Sequence, residues 1–162
     1  MKRLRKSKYR SKRSSQLKRS CITSTVEDAF IGLSWNIKTK PDKKFVSKQV
    51  CSGTISLLLP IISVHDSKGL AVYFSATVRK RSVTLYDIMY KIYSFYNLQK
   101  ITAQDVTYIS IANPQLATEL LHLNKADLAQ LRFADLLGGK TRFSRLQYQN
   151  NGDADAFSVI LV

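Results

Sequence analysis

The stretch TISLLLPIISVHDSKGLAVYFSATV, Thr54 to Val78, constrains the fold more than any other part of the chain. Two apolar, β-branched runs, Thr54 to His65 and Leu70 to Val78, flank a D-S-K-G turn in which Gly69 can take positive φ. The segment predicts a β-hairpin. Pro60 interrupts the first run and predicts a bend, a bulge or a sheet edge there. His65, beside the turn, reads as an exposed strand-end residue.

The remaining pattern supplies partners for that hairpin. Upstream, Phe30, Leu33, Trp35 and Ile37 form a short apolar patch that ends at a turn signal, Pro41–Asp42, with Lys43 and Lys44. Trp35, the single tryptophan, reads as a core or core-edge anchor. Downstream, a basic link at 79–82 precedes Leu85, Ile88, Met89, Ile92 and Phe95 or Tyr96, the spacing of an amphipathic helix. Thr84 followed by Asp87 is a start signal close to a capping box. Tyr86, Tyr90, Tyr93 and Tyr96 lie in this helix beside Lys91. Such rings can stack on unpaired bases, though a half-buried, tyrosine-rich helix is the commoner arrangement.

Val106, Tyr108, Ile109 and Ile111 fit either a short strand or a lead-in to a turn at Asn113–Pro114. From Gln115, the leucines Leu116, Leu120, Leu121, Leu123, Leu128, Leu131 and Leu136 predict one or two helices that stop at Gly138–Gly139, with His122 as a core or boundary residue. Phe143, Leu146 and Tyr148, an N-N-G-D turn and the apolar run Phe157 to Val162 predict a second hairpin whose last strand is buried and central. The expected fold is therefore α+β: a single domain over residues 21–162, with an antiparallel sheet built from two hairpins and two or three helices on one face. A chain of 162 residues has room for one such core and a tail.

Charge separates the tail from the domain. Of the net +15, residues 1–20 supply +10 through Lys2, Arg3, Arg5, Lys6, Lys8, Arg10, Lys12, Arg13, Lys18 and Arg19, with no acid. An arm with so few apolar residues is expected to be disordered when free. It attracts polyanions by counterion release, without reading base sequence. The same residues satisfy a nuclear import signal, an anionic-membrane patch or a solubilising tail; a mitochondrial presequence ranks lower for want of an apolar face. Arg79, Lys80 and Arg81 offer a second basic patch if they face the same way. Cys21 and Cys51 lack partners at metal-ligand spacing, and no apolar run approaches the ~20 residues of a bilayer span. No cofactor or metal is expected.

One motif suggests catalysis. Ala134 to Thr141 reads A-x-x-x-x-G-K-T, a loose phosphate-binding loop. Such a loop leaves a strand and opens a helix whose N-terminus faces the phosphates. Here a helical pattern precedes the glycines and a strand-like one follows, so the motif reads as a helix stop and turn. No catalytic residues emerge from the two histidines, two cysteines and scattered acids.

The order LSWNIKTKP, apolar hairpin, VTLYDIMYKIY and DLLGGKTRFSRLQ…DADAFSVILV resembles a family of small, mostly fungal, uncharacterised domains over about residues 33–162. Its most specific residues here are Val83, Thr84, Asp87, Leu137, Gly138, Thr141, Arg142, Phe143 and Leu146. Asn36 and Arg145 depart from the pattern, standing where an acid and a glycine are common. The resemblance implies a compact α+β domain and no activity. The functional expectation is a non-catalytic interaction domain. Its arm binds nucleic acid or directs nuclear import, and its folded part binds a protein or associates with itself. The alternatives are a structural assembly protein, such as a minor virion component, and a nucleotide-binding enzyme using the G-K-T loop, with the virion or the cytoplasm as the alternative location.

Overall fold

In the computed structural model, residues 25–62, 71–150 and 155–162 are described. The arm with Cys21, the turn with His65 and Gly69, and the N-N-G-D turn after Asn150 lie outside the described residues. The central hairpin pairs β2 (Gln49–Ile62) with β3 (Ala71–Thr84) in antiparallel register, Leu57 opposite Ala76. Two further strands, β4 (Arg142–Asn150) and β5 (Asp155–Leu161), form the second antiparallel pair, and the short β1 (Trp35–Asn36) adds to β4. The sheet order is β1-β4-β5-β2-β3.

The expected antiparallel sheet is corrected to a mixed one, because the hairpins meet through β2 and β5, which run parallel from Ser56↔Ala156 to Leu58↔Ser158. The connection between β3 and β4 returns the chain across the sheet, and because β2, the first strand of one hairpin, is parallel to β5, the second strand of the other, the two hairpins lie side by side pointing in opposite directions. β5 is the middle strand, as its apolar sequence predicts: Phe157, Val159 and Leu161 are buried on the face shared with Ile55, Leu57, Leu59 and Ile61.

Helices cover that face. They are α1 (Leu85–Asn97), α2 (Ala103–Ala112), α3 (Pro114–Leu121) and α4 (Lys125–Gln130), four where two or three are expected, with a helical turn at 25–28 and 3₁₀ turns at Lys43–Ser47 and Phe133–Leu137; α4 itself buries no residue. Phe95 of α1 stacks on Phe133 at 4.4 Å between centroids, and both rings contact Phe74 of β3, at 5.7 and 5.0 Å. This aromatic group joins strand, helix and turn into one core. At the other end, Phe30 and Trp35 both pack on Phe143, and Glu27 accepts the Tyr148 amide proton at 2.7 Å on the outer edge of β4.

Three further expectations change. Residues 79–82 continue β3 rather than forming a link: Arg79 pairs with Thr54 and Lys80 with Gly53 before a register shift near Cys51. β3 is an edge strand, where charged side chains reach water and oppose edge-to-edge association. The segment around Val106 is helical because Thr102 and Asp105 form a capping box, the same T-x-x-D signal as at Thr84. The leucine-rich stretch breaks into α3, α4 and the second 3₁₀ turn, restarting at the Asn113 and Asn124 caps. The breaks spoil the continuous leucine face, so Leu121 and His122 are exposed rather than core.

Pro60 lies in an inner strand, not at an edge, and the β2 irregularity falls between Gln49 and Gly53. The parallel ladder with β5 runs only to Leu58. Two residues on, the Pro60 carbonyl accepts a 2.8 Å hydrogen bond from the Tyr96 hydroxyl. Burial, then the neighbouring Tyr73 phenol, holds the Tyr96 hydroxyl well above its ordinary pKa, so it serves as a neutral donor. Tyr96→Phe leaves a buried carbonyl without this donor and is expected to lower unfolding free energy by about 1–2 kcal/mol in urea titration. Tyr90→Phe, whose hydroxyl lies at the surface, is expected to change it by less than about 0.5 kcal/mol.

Candidate nucleic-acid interface

The helix that organises the core also organises the most basic part of the described surface. At the start of α1 the Thr84 hydroxyl accepts the Asp87 amide proton, while the Thr84 amide and hydroxyl donate to the Asp87 carboxylate, each at 2.9 Å. The Leu85 amide donates to the Lys48 carbonyl at 2.8 Å, satisfying another end group of the helix. Asp87 also binds the Lys80 ammonium. Burial raises the Asp87 pKa, but the Lys80 hydrogen bond and the Thr84 backbone and hydroxyl bonds, with the Lys80 charge, outweigh it and leave the carboxyl below its ordinary value.

The expected patch at Arg79, Lys80 and Arg81 is exposed throughout but does not face one way. Val78 is buried, and alternation places Lys80 on the same, helix-bearing side, where Asp87 holds it. Arg79 alternates to the opposite side, and Arg81 lies where the register shifts before Val83. Between β3 and α1 runs a cleft of about 320 Å³, whose lining includes Val78, Lys80, Asp87, Tyr90, Lys91 and Ser94. The arm residues Lys2, Arg3, Arg5, Lys6, Lys8, Arg10, Lys12, Arg13, Lys18 and Arg19 lie outside the described residues.

Sequence reading missed a second basic element on the other side of α1. The loop from Ile37 to Lys48 runs along the helix: the Asn97 side chain donates to the Ile37 carbonyl at 2.7 Å at one end, and the Leu85 amide reaches Lys48 at the other. Trp35 Nε1 donates to the Thr39 carbonyl at 2.8 Å, Asn36 Oδ1 accepts the Lys38 amide proton, and Asp42 accepts that of Lys44. An aspartate at position 36 would offer the same acceptor. Five exposed lysines stand on this loop, Lys38, Lys40, Lys43, Lys44 and Lys48, with Asp42 as its one acid. Lys44 pairs with Asp42 at 3.4 Å and Lys48 donates to the Ala29 carbonyl at 3.2 Å. The available signal was five lysines within eleven residues, divided only by a turn.

The tyrosines of α1 divide between two roles. Tyr96 is buried in the core, whereas Tyr86, Tyr90 and Tyr93 form a row, with centroid steps of 5.7 and 6.1 Å and the first two rings within 16° of parallel. The row shares a helix face with Asn97, and therefore with the lysine loop.

The G-K-T segment is a turn. The 3₁₀ turn Phe133–Leu137 ends at Gly138 in left-handed conformation (φ 56°, ψ 33°), and the Lys140 and Thr141 amides donate to the Leu137 and Gly139 carbonyls before β4 begins. Those amides are already engaged, and the local order is helix to strand. Cys51 is a half-buried free thiol whose pKa is raised by burial. Among the described residues, no three His, Cys, Asp or Glu side chains converge as a metal site, and no helix is long and apolar enough to cross a membrane. No protein-family model, curated protein or solved structure matches this chain.

Asp87 gives this surface an acid-sensitive element. Because its folded pKa is lowered, its ionised form stabilises the fold above the ordinary carboxyl value of 3.8, and that stabilisation is lost as pH falls through the folded value. Asp87→Asn is expected to cost roughly 1 kcal/mol at neutral pH through the weakened cap. Chemical denaturation from pH 7 downward is expected to show the variant and parent converging in acid.

Proposed function

We propose that this chain is a non-catalytic interaction domain that binds nucleic acid without sequence preference, its arm residues Lys2 to Arg19 contacting phosphates. The observation that supports this most directly is charge segregation. The arm carries ten bases and no acid; in the body, segments 38–48 and 79–91 hold nine bases against Asp42 and Asp87 alone. Both body segments border α1. A surface arranged in this way concentrates positive potential where a polyanion can approach. The arm is also suited to serve as a nuclear address, which makes the nucleus the proposed location. The fungal-family resemblance brings no reaction with it, so the reading rests on charge and surface alone.

Binding of an oligonucleotide duplex at two salt concentrations tests this reading. Removal of residues 1–20 is expected to weaken binding and flatten the log–log salt slope by about 0.9 for each phosphate no longer neutralised. Unchanged affinity and slope would falsify the arm's role. Arg79→Gln and Arg81→Gln should each weaken binding more than Lys80→Gln, since Asp87 already offsets the Lys80 charge.

A second reading, structural assembly through self-association, draws on exposed apolar residues of the helical layer: Ile111 is 80% and Leu121 71% accessible, and Tyr108 is also exposed. Sedimentation velocity discriminates the two. Concentration-dependent oligomers abolished by Ile111→Lys and Leu121→Lys favour assembly, and a monomer at all concentrations favours the adaptor.

A further inference from the structure

We propose that the outward surface of α1 is a binding site for single-stranded nucleic acid, with Tyr86, Tyr90 and Tyr93 as a base-stacking row and Lys38, Lys40, Lys43 and Lys91 as its phosphate contacts. The site goes beyond the arm: it lies on the folded body and selects the form of the nucleic acid rather than attracting any polyanion.

Helix geometry separates this row from the core. The buried stripe of α1 is Leu85, Ile88, Met89, Ile92, Phe95 and Tyr96. At about 100° per residue, Tyr86, Tyr90 and Tyr93 project roughly a quarter-turn or more from the centre of that stripe. Tyr93 rests partly on the core and Tyr90 is 36% exposed, so the row is anchored at one ring and open at another. Tyr86 and Tyr90 stack on one another within 16° of parallel, so the two rings brace each other as one aromatic surface.

Ring spacing and charge argue for unpaired bases. Steps of 5.7 and 6.1 Å fall short of the roughly 6.8 Å, twice the ~3.4 Å stacking distance, that a base between two rings would need, so a base meets the outer surface of the row and must be unpaired to do so. A duplex keeps its base faces stacked and offers the row only phosphates. Lys38, Lys40 and Lys43 on one flank and Lys91 on the other have no acid at ion-pair distance among the described residues. Their charge is available to a phosphate backbone. Hydrogen bonds from Trp35, Asn97 and Leu85 fix the backbone of the lysine-bearing loop beside the helix.

The test uses the full chain and two fluorescent probes, oligothymidylate of about 12 nucleotides and a duplex of equal length, read by anisotropy. Tyr90→Leu is expected to weaken oligothymidylate binding about tenfold and leave duplex binding unchanged, while Tyr90→Phe, which keeps the ring, binds like the parent. Lys40→Gln with Lys43→Gln is expected to reduce the single-strand salt slope by about 0.7 for each phosphate no longer neutralised. The arm acts on both probes, so the change in their affinity ratio reports the row even if the arm contributes nothing. A loss below about twofold in Tyr90→Leu, an equal loss in Tyr90→Phe, an equal loss on both probes, or an unchanged slope in the lysine variant overturns the site.

Discussion

A fully buried tyrosine must find an acceptor for its hydroxyl, and Tyr96 finds the carbonyl of the one β2 residue that has no amide proton. Much of the structure depends on that meeting. Pro60 cannot donate to a neighbouring strand, and the ladder with β5 stops at Leu58, leaving the Pro60 carbonyl to the helix. The bond fixes the C-terminal half of α1 over β2 and the neighbouring edge strand β3. With Tyr96 inside, Phe95 is directed onto Phe74 and Phe133, and Asn97 meets Ile37. Helix, strand and loop are thus set by three consecutive side chains.

The same placement explains how the surface acquires its charge pattern. The α1 cap draws Asp87 toward β3, where it engages Lys80; the helix flank on the other side receives the lysine loop. Among acids elsewhere in the described chain, Asp105 and Asp135 cap the segments that start at Thr102 and Arg132, and Glu27 holds the Tyr148 amide on the far edge. Acids engaged in this way hold chain ends and turns, while most lysines beside α1 have no acid partner among the described residues. The asymmetry follows from where the capping positions fall.

Local sequence chemistry made much of this legible. Thr84–Asp87, the α1 stripe, the central β5 and the glycine stop at Gly138 each declare themselves within a few residues. The misses have a common origin in contacts made across the chain. Nothing local tells β2 to accept β5 in parallel, since that pairing joins residues a hundred positions apart. Nothing local tells the Arg79–Ser82 segment that it continues a strand, because pairing with β2 overrides its weak β propensity. The helix at Ala103 was readable, as Thr102–Asp105 repeats the signal at Thr84; mixed apolar spacing around Val106 obscured it. In the candidate interface, the tyrosines and the Arg79–Arg81 run were visible as types. Their separation onto different faces, and the approach of the loop at 37–48, were not.

A binding surface gains from being ordered before its ligand arrives, because each residue fixed on binding costs about 1–2 kcal/mol of backbone entropy. The loop beside α1 avoids much of that cost. Its backbone is tied at Ile37, Thr39, Lys44 and Lys48 by bonds that belong to the fold, and the ring of Trp35 that holds Thr39 packs on Phe143 in the core. What remains to be ordered is the lysine side chains and the outer ring of Tyr90. Attraction by diffuse positive charge needs no such fixing, since it tolerates many arrangements of phosphate. A tied loop beside a row of rings therefore suits the proposed single-strand site, whose ligand's bases and phosphates must be met together, more than it suits charge attraction alone.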